Sequence, residues 1–164
     1  MSNSYNDFNS ALIRDLRANG GRASGGPFRG GDVLILTTTG AKSGEPRENP
    51  LAFSRDNGNI VVVASKGGGP TNPSWYHNLT SNPVVKVEVL GETYDARARV
   101  VDDDEEYERL YAEHARRMPG FNEYRRLTSR RIPVVVLERV DSEEVAKSLG
   151  SRPATGVTFA GCPI

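Results

Sequence analysis

The sequence predicts an α+β fold, a small antiparallel β-barrel with helices covering its openings. Three observations predict it. Six segments have strand composition and most are joined by short turns. Two of them, Val85–Val89 and Tyr94–Val100, alternate apolar and polar residues, the period-two pattern of strands with one buried face. Helical segments separate the strand groups, where a closed sheet needs its ends covered.

Taken in order, Asn3 or Ser4 caps a first helix, with Asp7 in a capping-box-like position. Tyr5, Phe8, Leu12 and Leu16, joined by Ala11, then form one apolar stripe until Asn19-Gly20-Gly21 stops the helix. That stripe either packs on the domain's own core or, beyond a Gly-rich linker (residues 20–31), makes a peripheral membrane or partner contact. Val33–Thr39 is a β-branched, apolar strand ended by Gly40. Pro50–Arg55 and Ile60–Ser65 flank Asp56-Asn57-Gly58-Asn59 and read as a hairpin, because Asn-Gly tolerates positive φ. A short helix over Pro73–Leu79, with Asn72 as its cap and Pro73 at its first position, is broken by Ser81-Asn82-Pro83.

After the alternating pair, Asp102–Arg117 is a helix with acids first and Arg116-Arg117 last, as the macrodipole favours. Tyr107, Leu110, Tyr111 and His114 share one of its faces. A short helix, Asn122–Thr128, leads to a last strand, Ile132–Arg139, and Ser142–Leu149 reads as one more helix before a loose tail. The expected organisation is a helix (1–19), the linker (20–31), the barrel (32–140) and a C-terminal helix with tail (141–164). No internal repeat is visible.

At 164 residues and 17.9 kDa the chain fits one domain, and 37% apolar with 26% charged residues reads as globular. Lys plus Arg (21) balances Asp plus Glu (21), so no global field points to nucleic acid, and any anion site must come from local clustering. Cys162 is alone and forms no internal disulfide. Met1–Asp7 lacks the pattern of a signal peptide, and no apolar run approaches the ~20 residues that span a bilayer. The expected location is the cytoplasm, with the inner face of the membrane as the alternative for residues 1–19. His77 and His114 have no companions at ligand spacing, so no metal site is expected.

The chemistry concentrates in two loops. The segment between the first two strands, Thr37-Thr38-Thr39-Gly40-Ala41-Lys42-Ser43-Gly44-Glu45-Pro46-Arg47-Glu48-Asn49-Pro50, superficially resembles a phosphate-binding P-loop, but the glycine and lysine spacing is wrong and the loop leads into a strand. What remains is a Gly-flexible turn with Lys42 and Arg47 beside it, suited to phosphate or carboxylate, against the plainer reading of a solvated hairpin tip. In Ala64-Ser65-Lys66-Gly67-Gly68-Gly69, a valine-rich strand runs into a hydroxyl, a cation and three glycines, then a helix start. Trp75, Tyr76 and Asn78 follow on that helix. Trp75 either walls a flat aromatic ligand or anchors the core.

The stretches LTTTGAKSGEPRENPLAF, VVVASKGGGPTNPSWYHNLTSNPVVKVEV and IPVVVLERV together resemble the deazaflavin (F420)-dependent nitroreductases of actinobacteria, which include F420H2-dependent quinone reductases. The resemblance runs from about Gly31 to Val140. It implies a split antiparallel β-barrel like that of flavin-nucleotide oxidases, with flanking helices and with coenzyme F420 in a groove between barrel and helices. It implies that Lys42 and Arg47 meet the phosphate and oligoglutamate tail, and that Ala64, Ser65, Lys66, Gly67 and Gly68 line the phosphate and ring region. Pro50, Trp75 and Asn78 complete the implied cofactor contacts. Tyr124 matches a tyrosine of the substrate pocket, and Tyr124 and Ser65 are the hydroxyls implied in catalysis. Phe121 stands where some relatives carry a second tyrosine and Ala52 where some carry an aromatic residue, departures that bear on the acceptor. The implied reaction passes a hydride from F420H2 to a quinone or nitroaromatic-type acceptor, and a homodimer is compatible with it. An FMN-binding split-barrel oxidoreductase and a non-catalytic F420-binding protein are the alternatives.

Overall fold

The computed structural model describes residues 3–25 and 32–140. The expected helix Ser142–Leu149 and Cys162 lie outside the described residues, as do linker residues 26–31. The strands are β1 (Val33–Thr39), β2 (Pro46–Ala52), β3 (Ser54–Asp56), β4 (Asn59–Val63), β5 (Val84–Val89), β6 (Glu92–Val100) and β7 (Val134–Arg139). They form one seven-stranded sheet in the order β2-β1-β5-β6-β7-β4-β3, antiparallel throughout.

The two edge strands of that order, β2 and β3, are joined by Phe53 alone. A trans chain advances at most about 3.6 Å per residue, so the step from Ala52 to Ser54 spans roughly 7 Å. The edges therefore meet there, and the sheet curls into a split barrel. Phe53 is 1% exposed, and its N–H leaves the ladder to donate to the Asp32 carbonyl at 3.1 Å. This corrects the single strand expected over Pro50–Arg55. Ala52 pairs with Val33 on one edge, whereas Ser54 pairs with Val61 on the other. The hairpin around Asn57-Gly58 is real but shorter than expected, β3 with β4.

Side-chain alternation sorts the core into layers. Leu34, Leu36, Ile60, Val62, Val85, Val87, Val89, Ala96, Val135 and Leu137 fill the barrel, together with Phe53. On the outer face of the same strands, Val33 and Ile35 lie under helix α1 (Asn3–Ala18), while Val61, Val63, Val134 and Val136 lie under helix α3 (Asp104–Arg117). Strands β1, β4 and β7 thus read as continuous apolar runs because both faces are covered. Strands β5 and β6 alternate because Lys86, Glu88 and Arg99 face outward.

Helix α1 uses Leu12, Ile13 and Leu16 against β1, the packing alternative of the sequence reading, and Phe8 stays 43% exposed. Arg17 reaches Glu48 on β2 at 2.6 Å and Glu88 on β5 at 2.7 Å. The chain leaves α1 through Gly21 (φ +90°), where a Cβ would sit 2.5 Å from the backbone of Leu90. Helix α2 (Ser74–Ser81) plugs one end of the barrel with Trp75 and Leu79. Its N-cap is Pro73, not Asn72. Asp103 caps α3 by accepting from Glu106 N–H at 2.9 Å, and α4 (Gly120–Leu127) follows.

Phe53→Ala removes the seam's only large apolar side chain, and urea unfolding is expected to show a loss of about 3–5 kcal/mol. A loss below about 1 kcal/mol, the range of ordinary surface substitutions, would show that the barrel does not need this residue to close.

Candidate functional site

Strand direction gathers the two predicted loops. Every neighbouring pair in the sheet is antiparallel, so β1, β6 and β4 run one way and β2, β5, β7 and β3 the other. The end of β1, the end of β4, the start of β5 after α2 and the start of β7 therefore share one end of the barrel.

The first loop is a tight hairpin. Gly40 N–H donates to Glu45 O at 2.8 Å, and Gly44 N–H donates to Gly40 O at 2.9 Å. The loop is shorter than the sequence suggested, because Pro46 already pairs with Thr39 and Arg47 with Thr38. Ladder partners share a face, so Arg47 lies on the barrel's inner side with Thr38. Pro50, paired with Ile35, lies on the opposite side beneath α1, away from the other predicted cofactor contacts. Helix α2 holds the hairpin through Asn78, which is 7% exposed. Its Oδ1 accepts from Ala41 N–H at 3.0 Å, and its Nδ2 donates to Thr38 Oγ1 at 3.1 Å.

The second loop is a turn with successive positive φ values at Lys66 (50°), Gly67 (64°) and Gly68 (85°). Lysine in that region is disfavoured by about 1–2 kcal/mol, so the surroundings must hold it there. Ser65 Oγ accepts from Gly67 N–H at 3.4 Å, and Lys66 Nζ reaches Thr71 Oγ1 at 3.2 Å. The turn closes through Gly68 N–H donating to Ser65 O at 2.9 Å and Gly69 N–H to Lys66 O at 3.1 Å, and a further hold from outside it comes from Arg130, a residue with no motif around it in the sequence. Its guanidinium donates to the carbonyls of Gly69 (3.0 Å), Ser65 (2.8 Å) and Ala64 (3.4 Å), and to Asn72 Oδ1. Asn72, expected to cap α2, is thus an Arg130 acceptor.

Helix α4 packs on this turn. A Cβ at Gly68 would lie 3.0 Å from Leu127 Cβ and 3.2 Å from the Tyr124 carbonyl, so glycine is required for the approach. Phe121 and Tyr124 meet edge to face at 5.0 Å, and Leu127, which sequence reading missed, is 64% exposed beside them. The Tyr124 hydroxyl has no hydrogen-bond partner among the described residues, whereas the Tyr111 hydroxyl donates to Phe121 O at 2.7 Å. Beneath α4, His114 is fully buried. Its Nδ1 is 2.8 Å from Ser54 Oγ, but Nε2 has no partner, so the histidine is only half satisfied. Phe121 packs edge-on against it at 4.4 Å.

Trp75 is 5% exposed and its ring belongs to the barrel core, with half-buried Tyr76 beside it. The structure thus brings together the Lys42 hairpin, the Lys66 turn, α2 and α4. Charge is partly paired over the surface, and Arg14, Arg22, Arg55 and Lys86, away from the two loops, form no ion pair among the described residues. Arg17, Arg99, Arg109, Arg116, Arg117, Arg125, Arg126, Arg131 and Arg139 all pair with carboxylates. Among the described residues Lys42, Arg47 and Lys66 have no acidic partner, and Arg130 bonds only to neutral oxygens. The described residues contain no cluster able to hold a metal ion, and no helix among them is long and apolar enough to cross a membrane.

Barrel closure defines a split-barrel protein whose two glycine-rich loops carry Lys42, Arg47 and Lys66 at one end. Residues 11–139 match the family model described as F420H(2)-dependent quinone reductase, and the chain belongs to that family. It is 43% identical over 108 residues to an F420H(2)-dependent quinone reductase of Mycobacterium tuberculosis, covering 65% of this chain and 72% of the relative. A solved structure described as an F420-H2 dependent reductase matches with a TM-score of 0.60 and 40% identity, over 65% of this chain and 93% of that one. Another, described as a domain-swapped dimer, matches with a TM-score of 0.62 and 33% identity, over 84% of this chain and 100% of that one.

Two outcomes follow. Asn78→Ala strands the Ala41 N–H, costs about 1–3 kcal/mol and speeds Ala41 amide exchange; unchanged exchange contradicts the clamp. Burial pushes His114 down to about 4 from 6.5. The stability that neutral His114 contributes is therefore fully present above pH 6.5 and is lost as pH drops toward 4, by roughly 3 kcal/mol. Glu113, held down to about 2 by Arg116 and Arg117, acts in a lower window. Urea unfolding of His114→Gln should show a flatter profile between pH 6.5 and 4, and an unaltered profile contradicts the assignment.

Proposed function

We propose that this chain is an F420H2-dependent oxidoreductase that transfers a hydride from reduced deazaflavin to a quinone or nitroaromatic-type acceptor. The observation that carries the reading is the set of three cations without acidic partners, Lys42, Arg47 and Lys66, on two loops bridged by α2. Membership of the family supplies the identity of the ligand.

The residues present fit F420. Its phosphate and glutamate carboxylates call for concentrated local cations in a protein with no net charge. Lys42 and Arg47 take the anionic tail. Lys66 takes the phosphate, with Ser65 shaping the turn, Ala64 joining it to β4, and Gly68 setting the approach to α4. A Cβ on Gly67 would meet nothing within 4 Å, so this side of the turn is open to a ligand. Trp75 and Asn78 act from beneath, by fixing α2 and the hairpin. Pro50 acts only by shaping β2. When bound, the reduced deazaflavin supplies the hydride, while the protein orients it and excludes water.

Quinone reduction also consumes a proton. Tyr124 suits that role better than Ser65, because its hydroxyl has no internal partner, whereas Ser65 Oγ faces the turn's own N–H. Phe121, Tyr124 and Leu127 offer an apolar wall to the acceptor. The relative described as a domain-swapped dimer supports a homodimer. Burial of Leu12, Ile13 and Leu16 favours a cytoplasmic location over membrane contact, since α1 spends its apolar face on β1.

Fluorescence titration with F420 tests the reading, followed by oxidation of F420H2 with menadione. Lys42→Ala/Arg47→Ala should weaken F420 binding by about tenfold and make the remaining affinity less salt-sensitive, as each exposed cation-to-anion contact is worth up to roughly 1 kcal/mol and is screened by salt. Wild-type protein that binds no F420 contradicts the proposal. Tight binding without menadione-dependent oxidation assigns the chain to a non-catalytic role.

A further inference from the structure

We infer that Arg130 is a positioning residue for the anion-binding turn: its guanidinium holds the Ala64, Ser65 and Gly69 carbonyls on one side and presents Lys66 and the open side of Gly67 to the cofactor's phosphate. The inference rests on the proposed binding of F420 at this turn.

A guanidinium has five N–H donors, and four contacts to Gly69, Asn72, Ser65 and Ala64 occupy this one. Arg130 is therefore committed to the loop and does not itself reach a ligand. Its carbonyl acceptors fix the orientation of the peptides. Because C=O and N–H of a trans peptide point in opposite directions, drawing the Ser65 carbonyl toward Arg130 sends the Lys66 N–H to the other side. Three successive residues at positive φ, one of them lysine, are held by the turn's own Gly68 N–H to Ser65 O and Gly69 N–H to Lys66 O bonds, and Arg130 adds a hold from outside on the same Ser65 carbonyl.

The same guanidinium reaches Asn72 at the start of α2, and Asn78 of α2 holds Ala41 in the Lys42 hairpin. One chain of hydrogen bonds thus ties both cationic loops to a single geometry. No carboxylate contacts Arg130 among the described residues, so its charge also adds to the field at Lys66. Lysine cannot substitute, because an ammonium lacks the planar fork that spans four acceptors.

Arg130→Lys keeps the charge and removes the fork. In the cofactor-free protein, amide exchange at Gly68 and Gly69 should rise at least tenfold, while the β5–β6 hairpin exchanges as in wild type. F420 affinity should fall about tenfold, with kcat at saturating F420H2 changed less than threefold. The slope of log affinity against log salt should stay that of wild type, because no cation is lost; Lys66→Ala should lower it. Unchanged exchange at Gly68 and Gly69, or affinity within twofold of wild type, overturns the inference. If Arg130→Lys does not fold, Asn72→Ala removes one of the four contacts and should raise the same exchange rates at least threefold, and unchanged rates overturn the inference. Wild-type protein without F420 affinity instead defeats the parent reading, and the exchange measurement then decides Arg130's hold on the turn by itself.

Discussion

Phe53 carries the constraint on which the rest of the molecule depends. Because one residue separates the strands at opposite edges of the sheet order, the sheet has no open solution: it must curl until its edges meet. Closure makes the inner faces of all strands a single core, which the apolar side chains of β1, β4, β5, β6 and β7 fill. The antiparallel order of the same sheet makes β1 and β4 end at one rim, and so sets the Lys42 hairpin and the Lys66 turn around α2. The site is a consequence of topology before it is a consequence of any side chain.

The electrostatics follow a division of labour within a chain of zero net charge. Over most of the surface, arginines are matched by carboxylates, as in the Arg17–Glu48–Glu88 and Arg99–Glu106–Glu138 groups. Exposed pairs of this kind contribute little stability, about 0–1 kcal/mol each, but they cancel field locally. At the rim the cancellation stops. Lys42, Arg47 and Lys66 form no ion pair among the described residues, although Glu45 lies in the same hairpin, so a chain of zero net charge still gathers three unpaired cations on two neighbouring loops.

Much of this was legible in the sequence. The barrel class followed from period-two alternation in β5 and β6, and the two loops followed from glycines beside Lys42 and Lys66. The seam was not legible, because Leu51-Ala52-Phe53 contains no breaker and reads as one uninterrupted strand; only the pairing of Ala52 with Val33 and of Ser54 with Val61 divides it. The resemblance sets Pro50 among the cofactor contacts, but strand register turns it toward α1. Asn72 matched a helix cap, yet its side chain answers to Arg130, nearly sixty residues away and therefore invisible to local reading. Leu127 was hidden for a related reason: its proximity to Gly68 depends on how α4 lies on the turn.

In the proposed function F420 sits at the rim between the two loops and α4. Mapping amide chemical-shift changes during titration with F420 tests it most directly. With F420 bound there, changes concentrate at Ala41–Arg47, Ala64–Gly69, Ser74–Asn78 and Phe121–Leu127, and the α1 side of the barrel stays silent. Changes centred instead on the cleft between Arg17, Gly21 and Glu92, with the rim unaffected, would contradict it.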